Sequence, residues 1–203
     1  MKGKEKKRSK LSETFLVIKS FGSFFLRHHP ECENFNGHAI KLRKHEFCIG
    51  CFIGYPTSFI SIIILGVFKL NESIPSNYLV IFGILFMSTF FLSFTGATKI
   101  KFIKIIQKIF IGFGSALIFW GIFSLNFPVF TNFIIFLLVF STLITVLNIY
   151  HAYGLYNTCK KCESQFKWSQ CPGFETIRNK LKKYDLPNLI MDIEFRSESK
   201  KEK

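Results

Sequence analysis

Four long stretches of the chain contain no aspartate, glutamate, lysine or arginine. They cover residues 49–68, 78–97, 109–125 and 129–150. A helix that crosses the apolar core of a bilayer needs about 20 residues, at a rise of about 1.5 Å each. The stretches approach that length and lack the polar face of a helix in a soluble bundle. The pattern therefore predicts an all-α fold, a bundle of four transmembrane helices over residues 49–150.

Small residues and one proline interrupt these apolar stretches. Gly112 and Gly114 in the third span, and Gly50 and Gly54 in the first, would let neighbouring helices approach closely. Pro56 lacks a backbone N–H and would free the carbonyl near Phe52, so we expect a bend or a short cap there. Ionisable side chains are absent from all four stretches, and packing is the commoner use of their serines and threonines.

Basic residues are distributed unevenly between the two sides that the spans define. Of the 27 lysines and arginines, eleven precede residue 49, eleven follow residue 150, and four lie between the second and third spans. The opposite side has Lys69. Because basic residues next to spans stay in the cytoplasm, we expect a multi-pass cell-membrane protein with both termini cytoplasmic. This topology accounts for the net charge of +14, and no nucleic-acid-binding motif accompanies it, so we expect no nucleic-acid partner.

Both ends of the chain are predicted to carry amphipathic helices. Residues 1–28 combine a basic tip with apolar residues at helical spacing, which suits a helix lying on anionic lipid headgroups. Residues 29–51 and 151–184 are cysteine-rich segments, and the second contains a further amphipathic pattern at Phe174, Ile177 and Leu181. Residues 185–203 are predicted to form a polar, flexible tail.

Six cysteines lie outside the centres of the spans, and four of them form two Cys-x-x-Cys pairs. The cysteines are Cys32, Cys48, Cys51, Cys159, Cys162 and Cys171. The charge distribution places all six in the cytoplasm, where lasting disulfides are rare. Cysteines at this spacing in a reducing compartment bind metal or carry out redox chemistry.

The first interpretation of the pairs is a shared structural zinc site. Its ligands would be Cys48, Cys51, Cys159 and Cys162, one pair beside each end of the bundle, in a closed tetrahedral site. Two separate centres are the second interpretation, with further ligands among Cys32, Cys171, His29 and His38. An iron-sulfur cluster on the same thiolates stays open, because cysteine ligation suits both.

These motifs resemble a group of small, uncharacterised archaeal multi-span membrane proteins. The residues concerned are His29-Pro-Glu-Cys32, His38, Phe47-Cys-Ile-Gly-Cys-Phe-Ile-Gly54, Cys159-x-x-Cys162 and Cys171-Pro-Gly-Phe174. The chain is more loosely similar to bacterial membrane proteins with a Cys-x-x-Cys at the start of a span. The resemblance covers about fifty residues and implies a cysteine-rich cytosolic module, without an activity.

The expected function is a membrane-bound binding or scaffold module, with a cytosolic protein or anionic lipid as partner. A closed four-thiolate zinc site has no open position for water, so we expect no enzyme. The alternatives are a membrane thiol oxidoreductase and a small transporter or channel. Four-helix quinone-linked disulfide enzymes also place a Cys-x-x-Cys at a span end, although their thiols face the oxidising side. A transporter would show a hydrated cavity lined by Thr57, Ser61, Thr142 and Asn148.

Overall fold

The computed structural model of the chain describes residues 9–43, 45–164 and 166–190, and most of these residues are helical. Residues 1–8 of the predicted basic tip and residues 191–203 of the tail predicted from residue 185 lie outside the described residues. Residues 185–190 of that tail are described, and Ile190 is buried. In chain order the helices and strands are α1 (Lys10–Ser20), α2 (Gly22–Arg27), β1 (Ala39–Leu42), β2 (His45–Cys48), α3 (Tyr55–Val67), α4 (Leu70–Ser73), α5 (Ser76–Met87), α6 (Lys101–Phe123), α7 (Val129–Lys160) and α8 (Glu175–Lys183). Strands β1 and β2 pair in a two-stranded sheet, a small addition to the predicted all-α fold.

Within the described residues, four helical segments are long and apolar enough to cross a membrane. They are Gly50–Val67, Ser76–Ser93, Lys101–Phe123 and Val129–Lys160. This confirms the predicted mostly helical fold with four candidate membrane helices. The first two segments lie close to the predicted spans, and the fourth begins at Val129, the predicted first residue.

Two of the helices extend beyond the predicted spans. The third begins at Lys101 rather than at residue 109, and the fourth continues to Lys160 rather than ending at residue 150. The prediction ended each span at the first charged residue. A helix does not end there, because lysine is a good helix former and its long apolar stem can lie along the helix while the ammonium group reaches water.

The chain divides into two compact units. Among the described residues, unit 1 comprises 9–36, 41–43, 45–46, 154–164 and 166–190, and unit 2 comprises Gly37–Ile40 and Phe47–Tyr153. Unit 2 therefore holds most of the apolar helices. Unit 1 holds α1, α2, α8 and the end of α7.

Close helix packing in unit 2 depends on the glycines of α6. A Cβ on Gly112 would lie 2.5 Å from the carbonyl oxygen of Gly54, and one on Gly114 would lie 2.8 Å from that of Gly83. Such distances leave no room for a methyl group. Small residues allow helix backbones to approach closely in a bilayer, where van der Waals packing is the main attraction between helices. The close approach predicted for Gly54, Gly112 and Gly114 is confirmed. The prediction for Gly50 is wrong, because a Cβ there would meet no atom nearer than 3.8 Å.

Hydrogen bonds between helices reinforce this packing. The hydroxyl groups of Ser58 and Ser115 lie 2.7 Å apart across α3 and α6. The Gln107 amide, which is almost fully buried, donates to the Thr89 carbonyl and to the Ser93 hydroxyl, both at 2.8 Å. After α5 the chain continues as a 3₁₀ turn over Ser88–Ser93. Gln107 therefore satisfies an acceptor in the irregular end of the second span.

The core of unit 1 is small. Its buried apolar side chains include Cys171, Phe174, Ile177, Leu181 and Ile190, with Phe21, Phe24 and Leu186 packed against them. Helix α8 buries one face in this core and exposes Lys182 and Lys183 on the other. A buried Arg27 forms a salt bridge with Glu46, which also pairs with Lys41 at 3.2 Å.

Candidate functional site

The six cysteines fall into two sets according to the unit that contains them. Cys32, Cys159, Cys162 and Cys171 belong to unit 1, and Cys48 and Cys51 belong to unit 2. All six lie among the described residues, and none of them forms a disulfide. Each set is therefore available for thiol chemistry within its own unit.

A close backbone contact holds Cys32 near Cys171. The amide of Glu31 donates a 2.9 Å hydrogen bond to the carbonyl of Gly173. A Cβ on Gly173 would lie 2.6 Å from the Pro30 Cβ and 2.9 Å from the Glu31 nitrogen, so only glycine permits this approach. The Thr176 hydroxyl also donates to the Glu31 carboxylate at 2.7 Å. Two segments far apart in sequence are thereby joined one residue before Cys32 and two residues after Cys171.

The side chain of Arg178 shapes the turn that precedes and includes Cys171. Its Nη1 atom donates to the carbonyl oxygens of Ser169 at 2.6 Å, Cys171 at 3.0 Å and Trp168 at 3.2 Å. A guanidinium group suits this role, because its rigid fork of donors can gather several carbonyls in one plane. Arg178 comes from the first turns of α8, so the helix that buries the core also orients the Cys171 backbone.

Cys159 and Cys162 lie at the C-terminal end of α7, in a turn closed by a 3.2 Å hydrogen bond from the Cys162 amide to the Cys159 carbonyl. Cys159 interacts electrostatically with all three other cysteines of unit 1, which are Cys171, Cys32 and Cys162. A Cys-x-x-Cys turn presents its two sulfurs on one side, as zinc knuckles require. The end of α7 thus brings the pair into the neighbourhood of the Cys32 and Cys171 thiols.

Burial raises the pKa of the Cys32 thiol above its ordinary value. The neighbouring Cys171 and Cys162 sulfurs raise the pKa further, because each thiolate opposes the ionisation of another. Hydrogen bonds from the backbone amides of Asn34 and Phe35 lower the pKa of Cys32. Without a cation, Cys32 therefore stays protonated at neutral pH. A bound divalent ion would reverse this preference by binding the thiolate directly.

The four thiols share a neighbourhood but do not stand at coordination distances. Across residues 9–43, 45–164 and 166–190, no three Cys, His, Asp or Glu side chains are close enough together to hold a metal ion as they stand. The donor set nevertheless suits zinc, since four thiolates complete a tetrahedral structural site. Metal binding would require the sulfurs to move inward from their present positions.

The other predicted ligands occupy separate places. Cys48 and Cys51 lie in unit 2, so the shared site of Cys48, Cys51, Cys159 and Cys162 stays a prediction. His29 is buried in unit 1, and its ring stacks on Phe35 with centroids 4.8 Å apart. His38 ends the 3₁₀ turn Glu33–His38. The ligand roles of these two histidines also remain predictions.

The polar residues predicted to line a transport pathway differ in burial. Ser61 is buried in α3, whereas Thr142 and Asn148 are exposed on α7. The Thr142 hydroxyl donates to the Leu138 carbonyl of its own helix at 2.8 Å. Such a bond satisfies the hydroxyl within its own helix, and the transport pathway stays a prediction.

Sequence reasoning missed the residues that hold the cysteines of unit 1 together. Gly173 and Arg178 carry no metal chemistry, and Thr176 is an ordinary residue for the first turn of a helix. The Cys-Pro-Gly run at 171–173 was a usable signal. Proline and glycine after a cysteine mark a tight turn in which backbone can approach another segment closely.

Comparisons with known proteins add no relationship to this picture. No family model, curated protein or solved structure matches the chain. The resemblance to archaeal membrane proteins accordingly stays a hypothesis.

Proposed function

We propose that this chain is a multi-pass membrane protein, with both termini in the cytoplasm, whose unit 1 is a zinc-stabilised binding or scaffold module. The proposed zinc ligands are Cys32, Cys159, Cys162 and Cys171. One observation carries the assignment. These four thiols belong to a single unit, and Cys159 interacts electrostatically with each of the other three.

The two halves of the ligand set differ in how firmly they are held. Cys32 and Cys171 are flanked by the Glu31 to Gly173 hydrogen bond and the tight contact at Gly173. Cys159 and Cys162 sit in a turn at a helix end, where frayed backbone moves easily. We therefore expect the Cys159 to Cys162 turn to close onto the other two sulfurs, giving Zn–S bonds of about 2.3 Å.

Zinc would supply stability that the small core of unit 1 lacks. Structural zinc sites in small peptides contribute about 10–16 kcal/mol of apparent binding free energy at neutral pH. Because such a site is closed, it offers no metal-bound water for catalysis. This is why we favour a binding or scaffold role over an enzymatic one. The exposed lysines of α8 give the module a basic face suited to an acidic protein or an anionic lipid headgroup.

The cytoplasmic assignment rests on the distribution of charge around the four candidate membrane helices. Basic residues cluster before the first helix, between the second and third, and after the fourth. A membrane-impermeant maleimide added to intact cells tests it, with cysteines introduced at Ser9 and at Ser73. We expect labelling at Ser73→Cys alone, and labelling at Ser9→Cys in intact cells would refute the topology.

Metal analysis of the purified full chain tests the zinc assignment. We expect about one zinc ion per chain, lost in Cys32→Ser and in Cys159→Ser. The matched control is Cys48→Ser, which removes a thiol from unit 2 and should keep the zinc. Loss of zinc in Cys48→Ser would instead support the shared site predicted from sequence. An absorption band in the visible range would identify the bound group as an iron-sulfur cluster instead of zinc. Wild-type protein without metal would refute the proposal.

A further inference from the structure

A second group of reactive side chains lies in unit 2, apart from the proposed zinc ligands. Cys48 is the last residue of β2 and is 5% exposed, whereas Cys51 is partly exposed. The two thiols are hydrogen-bonded to each other. Lys108 of α6 interacts electrostatically with both, and Lys104 interacts with Cys48. The site therefore combines two sulfurs with two ammonium groups at the start of the first candidate membrane helix.

Gly50 and the turn that it begins border this group of side chains. A Cβ on Gly50 would lie 3.8 Å from the Cys48 sulfur and 3.9 Å from Cε of Lys108, so the thiol and the lysine border the same small space. Residues Gly50–Gly54 form a π-helical turn, a rare conformation that often marks functional sites. It comes directly before the turn with Pro56, whose missing N–H removes a bond of the ordinary α-helical ladder. The turn lies where a bend or a short cap was predicted from this proline.

Further contacts limit the movement of Lys104 and of the turn. The Lys104 ammonium donates to the Gly37 carbonyl at 2.9 Å. The tight approach of Gly112 to the Gly54 carbonyl fixes the turn against α6. The helix that carries Lys108 is therefore packed against the turn that carries Cys51.

These charges suit thiol chemistry better than a metal ion. An ammonium group has no lone pair to donate to a metal, and its positive charge repels a cation. A pair of neighbouring thiols can instead pass two electrons to a disulfide. Unit 2 thus holds a hydrogen-bonded dithiol beside two positive charges, whereas the four cysteines of unit 1 can complete a zinc site without Cys48 or Cys51.

We propose that Cys48 and Cys51 form a dithiol site that reduces disulfide substrates at the membrane surface. The more exposed Cys51 thiolate attacks one sulfur of the substrate disulfide, so that its S–S bond breaks and the departing thiolate takes a proton. Cys48 then attacks the Cys51 sulfur of the mixed disulfide and releases the second substrate thiol. Two electrons pass from the cysteine pair to the substrate, and an external dithiol restores the reduced pair.

The purified full chain and oxidised glutathione, as a probe disulfide, test this proposal. We expect a Cys48–Cys51 disulfide by mass spectrometry after thiol trapping, release of about two glutathione thiols per chain, and reversal by dithiothreitol. Cys48→Ser should stop at a mixed disulfide on Cys51, and Cys51→Ser should form no internal disulfide. Wild-type protein whose pair stays reduced in excess oxidised glutathione would overturn the proposal. So would metal bound by Cys48 and Cys51, detected as metal that is lost in Cys48→Ser.

The role of Lys108 has its own measurement. Lys108→Met removes the charge and keeps the length, which should slow formation of the mixed disulfide about threefold at neutral pH, because the attacking sulfur loses its positive neighbour. Lys101→Met, an exposed position on the same helix, is the control and should react like wild type. Equal rates for the two variants would show that Lys108 plays no part in the reaction of the thiol pair. Zinc content measured on the same samples shows whether the zinc site proposed for unit 1 is intact, so that a failure of one proposal can be told from a failure of the other.

Discussion

Replacing Gly173 by alanine tests most directly how unit 1 brings its cysteines together. The added Cβ would lie 2.6 Å from the Pro30 Cβ, 2.9 Å from the Glu31 nitrogen and 3.1 Å from the Pro30 carbonyl carbon. These are backbone and ring atoms, so no flexible side chain can turn away. The Gly173 segment must therefore shift away from Pro30, and Cys171 moves with it.

The cost of this shift follows from the contacts it disturbs. Forcing one extra methyl group into a well-packed position costs about 1–3 kcal/mol. Stretching the hydrogen bond from the Glu31 amide to the Gly173 carbonyl contributes about 1 kcal/mol more if the bond is lost. Because zinc would have to draw Cys32 and Cys171 back together, a penalty of about 1–3 kcal/mol weakens zinc binding about fivefold to 150-fold.

A chelator competition measures this change. Purified wild type and Gly173→Ala are titrated with a chromogenic zinc chelator, and the zinc affinity is taken from the midpoint of release. Gly154→Ala is the matched control, because a Cβ at Gly154, also in unit 1, would meet no atom within 4 Å. If Gly173→Ala held zinc as tightly as this control, the contact at Gly173 would not set the spacing of the ligands, and the reasoning would fail.

Two further predictions concern packing and pH. Gly112→Ala should destabilise unit 2 by about 1–3 kcal/mol, since its Cβ would lie 2.5 Å from the Gly54 carbonyl oxygen. Thermal unfolding in detergent should show a lower midpoint for this variant than for Gly154→Ala. Equal midpoints would contradict the tight helix contact. In metal-free protein the pKa of Cys32 is raised, so near the ordinary thiol value of 9.0 the folded state keeps a proton that the unfolded chain releases. The free energy of unfolding should therefore fall as the pH rises above that value. Unfolding followed in chelator at about pH 8 and about pH 10 should show this loss, and Cys32→Ser should reduce it.

The candidate membrane helices were predictable because their signal is local. Lipid cannot hydrogen-bond to the backbone, so a spanning segment must be both helical and apolar over its whole length. Charge-free stretches therefore located all four candidate helices, and Val129 was identified as the first residue of the last one. Gly54, Gly112 and Gly114 likewise indicated the close packing that the structure shows, whereas Gly50 did not.

The ends of the helices were less predictable, because lipid and backbone set different limits. Residues 101–108 continue the third helix although they include three lysines. Gln107 lies in this extension, and its bonds to Thr89 and Ser93 depend on how α5 ends. Neither the extra helical turns nor the partner of the glutamine could be read from a hydropathy pattern.

The chain composition and motif spacing determined that this protein has apolar helices, basic flanks and paired cysteines. Which cysteines share a neighbourhood was decided by the tertiary structure, which places Cys32 and Cys171 with the Cys159 pair and leaves Cys48 and Cys51 beside Lys108. Spacing reports only which residues are near one another along the chain. Cys32 and Cys171 lie near each other because one glycine without a side chain lets two distant backbone segments touch, and that contact has no counterpart in the local sequence.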